Sequence, residues 1–234
     1  MRQTPHEAYL IVGMGRLGRH LAAYFDQLKT PFRSWTRLDG IDQFYEKART
    51  AEILLLCLSD DVIAEFYHHH SYRLRDKQWV HFSGSQSVDG IDGFHPLYTF
   101  TPELYDLETY QKIPFAADLS NRLSFHETFP TLKNPYFGIP SEKKALYHAL
   151  CVMAGNFSSI LWNKYFKEMK NMGIQEEHCR PYCERIFQNI WDDHEKSLTG
   201  PIVRKDEKTM KRNLESLEND SFAPIYQAFK ELKR

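Results

Sequence analysis

The stretch that most constrains this chain is Tyr9-Leu10-Ile11-Val12-Gly13-Met14-Gly15-Arg16-Leu17-Gly18. Its apolar first residues predict a buried strand, and Gly13, Gly15 and Gly18 follow at the G-x-G-x-x-G spacing. Leu17, Leu21, Tyr24, Phe25 and Leu28 then recur with the period of an amphipathic helix. Each glycine has a mechanical role in such a strand–turn–helix unit. The first makes the tight turn, the second lets backbone N–H groups approach a pyrophosphate, and the third lets helix and strand pack closely. The helix N-terminus then faces the phosphates with its partial positive charge. Glycine triplets occur in any loop, so the flanking strand and helix carry the reading. Gly13, Met14, Gly15, Arg16, Leu17 and Gly18 are the expected pyrophosphate cradle.

The strand after this helix, within Pro31–Arg37, decides which dinucleotide fits. An acid at its end binds the ribose 2′-OH of NAD, whereas an arginine can hold the 2′-phosphate of NADP. This chain has Thr36 and Arg37 there and no carboxylate until Asp39, which favours NADP and leaves NAD possible. The alternative for Arg37 is a solvated surface arginine. Ala51–Leu58 is a near-continuous apolar run, as in a central parallel strand covered on both faces. Leu58 and Ser59 leave that strand at the sheet's carboxyl edge, where ligands bind, although Ser59-Asp60-Asp61 also reads as helix capping. The run His68-His69-His70 reads as a helix-end surface feature, since three adjacent residues cannot share one helix face.

Two further pieces bring chemistry to the same edge. Trp79–Ser85 predicts a strand with a small polar exit, and Gly93–Phe100 follows it. Ser83, Gly84 and His95 would emerge beside the glycine turn if the strands are parallel. A hydroxyl and an imidazole there suit binding or protonation of a carbonyl, imine or carboxylate, with His95 the best acid or base. The alternative for His95 is a loop ring bonded to backbone. Pro114 and Pro135 assign the next two strands to edges or strand starts.

From Ser141 the pattern changes from strands to helices. Ser141 can cap one helix that runs through apolar residues from Ala145 to Tyr165 and on to about Met172, roughly thirty residues and about 45 Å, buried against other helices or a partner subunit. Asn156 lies in its middle and would need hydrogen-bond partners from a helix or a ligand. Pro181 is expected in the first turn of the following helix. His178, Cys179 and Cys183 lack a fourth ligand, so no metal is expected. Leu198-Thr199-Gly200-Pro201 and Arg204 form a turn, with Asp206 capping another helix. The fold class is therefore α/β, an N-terminal Rossmann-type mostly parallel sheet followed by an all-helical C-terminal domain. The expected domains are residues 1–140 and 141–234.

The net charge of −1 gives no electrostatic reason to expect a nucleic-acid partner. No uninterrupted apolar run reaches about 18 residues, so no membrane partner is expected. Four scattered cysteines do not form a secreted disulfide framework, and the start of the chain lacks a signal peptide's apolar core. A cytoplasmic protein is the expectation.

Four pieces together resemble a known arrangement. They are Gly13–Gly18; His81–Ser85 with Phe94–Phe100; Ala145–His148 leading to Asn156; and Leu198–Pro201 with Arg204 and Asp206. The chain is similar to Rossmann-like proteins with a C-terminal domain of unknown function 2520. More distantly it resembles pyrroline-5-carboxylate reductase, the 6-phosphogluconate and β-hydroxyacid dehydrogenases, and prephenate dehydrogenase. The resemblance implies an NADP- or NAD-binding oxidoreductase-like protein, homodimeric through its helical domain. β-Hydroxyacid dehydrogenases place a catalytic lysine four residues before their helix asparagine, and here that position is Val152. His148 lies one turn further back, roughly 80° around the helix from Asn156. The expected activity is NADP-dependent hydride transfer to or from a small polar metabolite. His95, Ser83 and Asn156 would be catalytic, and Gly84, His148, Thr199 and Arg204 would bind substrate. The alternative is a catalytically silent cofactor-binding sensor or interaction protein on the same fold.

Overall fold

The structure is a computed structural model that describes residues 8–232. Its strands are β1 (Tyr9–Val12), β2 (Phe32–Trp35), β3 (Ile53–Leu56), β4 (Gln78–His81), β5 (Asp92–Pro96), β6 (Phe115–Asp118) and β7 (Tyr136–Ile139). They form one sheet in the order β2-β1-β3-β4-β5-β6-β7. Every neighbouring pair is parallel except β5 with β6. The connecting helices are α1 (Arg16–Leu28), α2 (Ile41–Thr50), α3 (Asp60–His70), α4 (Leu107–Lys112) and α5 (Phe125–Thr128).

Alternation along the strands builds two cores. Tyr9, Ile11 and Leu55 join Leu21 and Phe25 of α1, while Leu10, Val12 and Leu54 join Phe44 of α2 and Ile63 of α3. Covering both faces is what lets a parallel strand such as β3 be apolar throughout. The chain leaves β1 toward β2 and then crosses back to β3 on β1's other side. That reversal opens a crevice at the carboxyl ends of β1 and β3. Pro114 and Pro135 immediately precede β6 and β7, so neither interrupts a ladder.

The chain divides into two compact units, up to Ser159 and from Ile160 onward. The first unit ends with a 3₁₀ turn at Ser141–Lys143, helix α6 (Lys144–Val152) and a π-helical turn at Met153–Phe157. Helix α7 (Ser158–Asn171) continues from it, so Ser141–Asn171 is helical throughout. The expected burial of this stretch is not found within the chain. Its most apolar 18-residue window has mean hydropathy 1.2, enough by length and composition to cross a membrane, and none of it is buried. Leu146, Leu150, Met153 and Phe157 lie 52–61% exposed along one face. Asn156, expected to be buried, is exposed on the π turn.

In the second unit α8 (Glu176–Asp192), α9 (Glu207–Glu215) and α10 (Ala223–Glu231) follow α7. Gly173 ends α7 at φ +78°, and the Ile174 N–H closes back on Met169 O at 2.9 Å. Asp206 caps α9 by accepting the Thr209 N–H at 3.0 Å. Pro181 is not in the first turn of its helix. Helix α8 begins at Glu176, so Pro181 sits inside it, and the acidic first turn Glu176-Glu177 sets the start instead.

Candidate functional site

The glycine turn has the geometry that its spacing implies. Gly13 adopts φ +97°, and a Cβ there would lie 2.6 Å from the O of Cys57, the residue that follows β3. A Cβ on Gly18 would come within 2.0 Å of Gly13 O, so the third glycine lets α1 press against the turn. Above Gly15 nothing lies within 4 Å of the Cβ position. Gly15 is also the N-cap of α1, without a side-chain cap or an acid in the first turn. Free N–H groups and the helix's partial positive charge therefore face open space, which suits a pyrophosphate.

A groove of about 400 Å³ runs from this turn across the crevice. Gly13, Met14 and Gly15 line one side, Thr36 and Arg37 the β2 end, and Leu58, Ser59, Val62 and Phe66 the other wall. The sequence-predicted cofactor residues are thus largely brought together. Ser59 makes no capping bond and is exposed at the groove. Apolar Val62 and Phe66, one turn apart on α3, also line the groove, a placement that sequence reasoning did not assign to them.

The β2 end differs from a simple phosphate grip. Thr36 opens a short 3₁₀ turn, and Asp39 accepts its N–H at 2.8 Å and its hydroxyl at 3.4 Å. Lys47 Nζ lies 3.6 Å from the same carboxylate and donates to Ser34 O at 2.9 Å. The Thr36 N–H, followed by Lys47, holds the Asp39 carboxyl below the usual carboxylate range. The Thr36 donors that a 2′-phosphate would use are therefore occupied by a carboxylate, and Arg37 remains exposed beside them.

A second cluster forms where β4 and β5 end. His95 Nδ1 lies 2.9 Å from the Tyr147 hydroxyl of α6, and its ring meets that of His148 edge-on with centroids 5.9 Å apart. Gly84 packs between the two imidazoles. A Cβ there would lie 2.7 Å from His148 Cδ2 and 2.8 Å from His95 Nε2. Burial, then the positive influence of His148 and Lys144, outweighs the pull of Asp60 and lowers His95 to about 4. His95 is consequently a neutral imidazole near pH 7. Burial, with the Cys151 thiol alongside, pushes the Tyr147 hydroxyl up, so it keeps its proton. A hydroxyl that keeps its proton can donate to Nδ1, an arrangement that places the His95 ring proton on Nε2.

The remaining predicted residues fall into distinct places. Ser83 is buried, donates to Asp60 Oδ2 at 2.8 Å, and accepts the N–H groups of Ser85 and Gln86. Its hydroxyl ties the β4 exit to the start of α3. Thr199 and Arg204 belong to the second unit, where both are exposed about the Gly200-Pro201 turn. Sequence reasoning missed Lys144, Asp118, Tyr147 and His81. Lys144 and Asp118 form an ion pair with both side chains 2% exposed. His81 is fully buried, accepts the Ser83 N–H on Nδ1 at 3.2 Å, and leaves Nε2 without a partner. The available signal for α6 was its polar spacing, with Lys144, Tyr147, His148 and Cys151 at offsets 0, 3, 4 and 7.

Residues 115–232 match the family model DUF2520, a domain of unknown function. None of the curated proteins matches the chain. Among solved structures, BF3122 from Bacteroides fragilis, a candidate NADP oxidoreductase, is 19% identical with TM-score 0.73 and 96% of each chain covered. Protein TM1727 from Thermotoga maritima is 24% identical with TM-score 0.68 and the same coverage of both chains. A reductive aminase from Aspergillus terreus, in complex with NADPH and ethyl levulinate, is 14% identical with TM-score 0.60. That alignment covers 97% of this chain and 88% of the aminase. At these identities the likeness establishes the shared fold.

Proposed function

The chain belongs to the DUF2520 family, and on that premise we propose that it is an NADP(H)-dependent oxidoreductase acting on a small polar metabolite. The carrying observation is the Gly13–Gly18 turn at the sheet's reversal point, with open space above Gly15 and a groove reaching Thr36 and Arg37. Similarity to BF3122 and to the NADPH-bound reductive aminase supports the choice of cofactor. NAD is the alternative cofactor, since Asp39 offers a carboxylate beside the same end of β2.

The bound cofactor supplies the hydride, and the chain's own residues do the rest. Backbone N–H groups at the start of α1 hold the pyrophosphate, and Leu58, Val62 and Phe66 flank the adenosine end. His95 acts as a neutral hydrogen-bond donor through Nε2, polarising a carbonyl, imine or carboxylate. An imidazolium role does not suit a group held at about 4. A neutral imidazole polarises through its N–H without first having to be charged. Tyr147 fixes its tautomer, and His148 and Gly84 shape the surface beside it. Asn156, on the exposed π turn, is proposed for substrate contact, because such turns recur at functional sites. Thr199 and Arg204 are proposed as further substrate ligands, with residues 141–234 as the substrate and dimerisation domain.

We further propose a homodimer through the exposed face of α6 and the π-helical turn that follows it. Leu146, Leu150, Met153 and Phe157 repeat at steps of 4, 3 and 4, the spacing of a helix seam that packs against a like helix. The opposite face of α6 meets His95 of β5 and Asp118 of β6, which leaves a one-sided apolar stripe suited to a second copy.

The test is a stopped-flow panel of oxo acids, imines and hydroxy acids with NADPH or NADP. Hydride transfer to one of them that falls at least tenfold in His95→Gln is expected. Tight cofactor binding without any transfer would assign the chain to the non-catalytic sensor reading instead.

A further inference from the structure

A buried lysine is unusual, and this one lies close to the His95 centre. Lys144 opens α6, is 1% exposed, and meets Asp118 at the end of β6 with Nζ 2.7 Å from Oδ1 and 3.0 Å from Oδ2. Ser87 donates to Asp118 Oδ2 at 2.7 Å. Gly93 on adjacent β5 makes room for the carboxylate, since a Cβ there would lie 2.5 Å from Oδ2. Two charges and a glycine have thus been placed where an apolar pair would pack as well or better.

The pair's position explains what it does. Residues three and four apart on a helix share a face. Tyr147 and His148 therefore project beside Lys144, and Cys151 follows one turn later. In α6 only Lys144, Tyr147, His148, Cys151 and Val152 escape full exposure. Helix α6 contacts the sheet edge through this polar face, and its only charged anchor there is Lys144. A shift of one residue at that anchor would carry the Tyr147 hydroxyl off His95 Nδ1.

We propose that the Asp118–Lys144 ion pair is the positioning element of the His95 centre, docking α6 so that Tyr147 fixes the Nε2–H tautomer of His95. The proposal rests on the reading of His95 as the group that meets substrate. The pair also acts through charge. The groups facing His95 are His148, Lys144 and Tyr147 from α6 and Asp60 from α3, and Lys144 opposes protonation of both His95 and His81. Lys144 and Asp118 act through His95 and are positioning residues.

The test compares the native protein with Lys144→Met/Asp118→Leu, which replaces the pair by apolar side chains without stranding a charge. Nitrogen-15 NMR of the imidazoles reads the His95 tautomer and its titration. The native chain is expected to show one tautomer, protonated on Nε2. The double variant is expected to mix tautomers and titrate His95 at higher pH, while Lys144→Arg keeps the native pattern. Native tautomer and titration persisting in a folded double variant would overturn the proposal. If the double variant does not fold, Asp118→Glu shifts the carboxylate by one methylene and keeps both charges. An altered His95 Nδ1 signal then supports positioning, and an unchanged one overturns it. NADPH affinity, followed in the same samples, is expected to stay within twofold. Failure of every sample, native included, to bind NADPH overturns the oxidoreductase reading while the NMR result still decides the role of the pair.

Discussion

At the scale of single residues, the proposed chemistry turns on Gly84, His95 and Asp39. Gly84 has no side chain because two imidazoles already fill the space that a Cβ would take. Gly84→Ala is expected to part His95 from His148 and cost about 1–3 kcal/mol by overpacking. A thermal melt and the histidine NMR spectrum would register both effects, and an unchanged spectrum would contradict the packing argument. Asp39 holds the Thr36 N–H that a 2′-phosphate would seek. Asp39→Ala frees that donor and removes a like charge, so affinity for NADPH relative to NADH should rise by about tenfold. Paired titrations give the ratio directly, and a constant ratio would remove Asp39 from cofactor choice. The glycines were legible in the sequence because a positive φ or a close approach leaves its mark on residue type. The internal use of Thr36 by Asp39 was not, since a carboxylate three residues away reads equally as solvated.

At the scale of elements, the parallel strands could be read because β3 is apolar on every residue and β1 nearly so, as burial on both faces requires. Helix α6 was legible only in part. Its apolar residues implied burial, yet the face that docks is the polar one, led by Lys144. Its ion-pair partner Asp118 is 26 positions earlier in the chain, a separation at which no local pattern operates. Val152 replaces the lysine expected from the dehydrogenase resemblance, while Lys144, two turns earlier, is fixed by Asp118. The turn after β4 is organised in the same internal way. Asp60 gathers the hydroxyls of Ser83 and Ser85 at 2.8 and 2.5 Å. Ser83→Ala is therefore expected to lower stability by about 1 kcal/mol and leave cofactor affinity intact. Chemical denaturation beside a binding titration would separate these outcomes, and a selective loss of binding would contradict a purely structural role for Ser83.

For the whole molecule, acid is expected to weaken the fold through its buried histidines. Burial, chiefly, lowers His81 to about 3 and His95 to about 4 from an ordinary value of 6.5. The unfolded chain thus binds protons more readily, and protonation favours unfolding. The contribution to stability is complete above pH 6.5 and declines as pH falls toward 4 and then 3. Urea midpoints at pH 7 and pH 4.5 should differ, by less in His95→Gln, and an equal difference in both proteins would contradict the assignment. The proposed dimer calls for a similar test at this scale. Sedimentation should show a native dimer that Leu150→Glu/Phe157→Glu converts to monomers, whereas a native monomer would leave the α6 stripe for another partner. The most direct measurement of the central claim is calorimetric titration of the native protein with NADPH, beside Gly13→Ala. One site per chain with micromolar affinity, lost by tenfold or more in the variant whose new Cβ would meet Cys57 O, is the expected result. No heat of binding at millimolar NADPH or NADH would contradict the account.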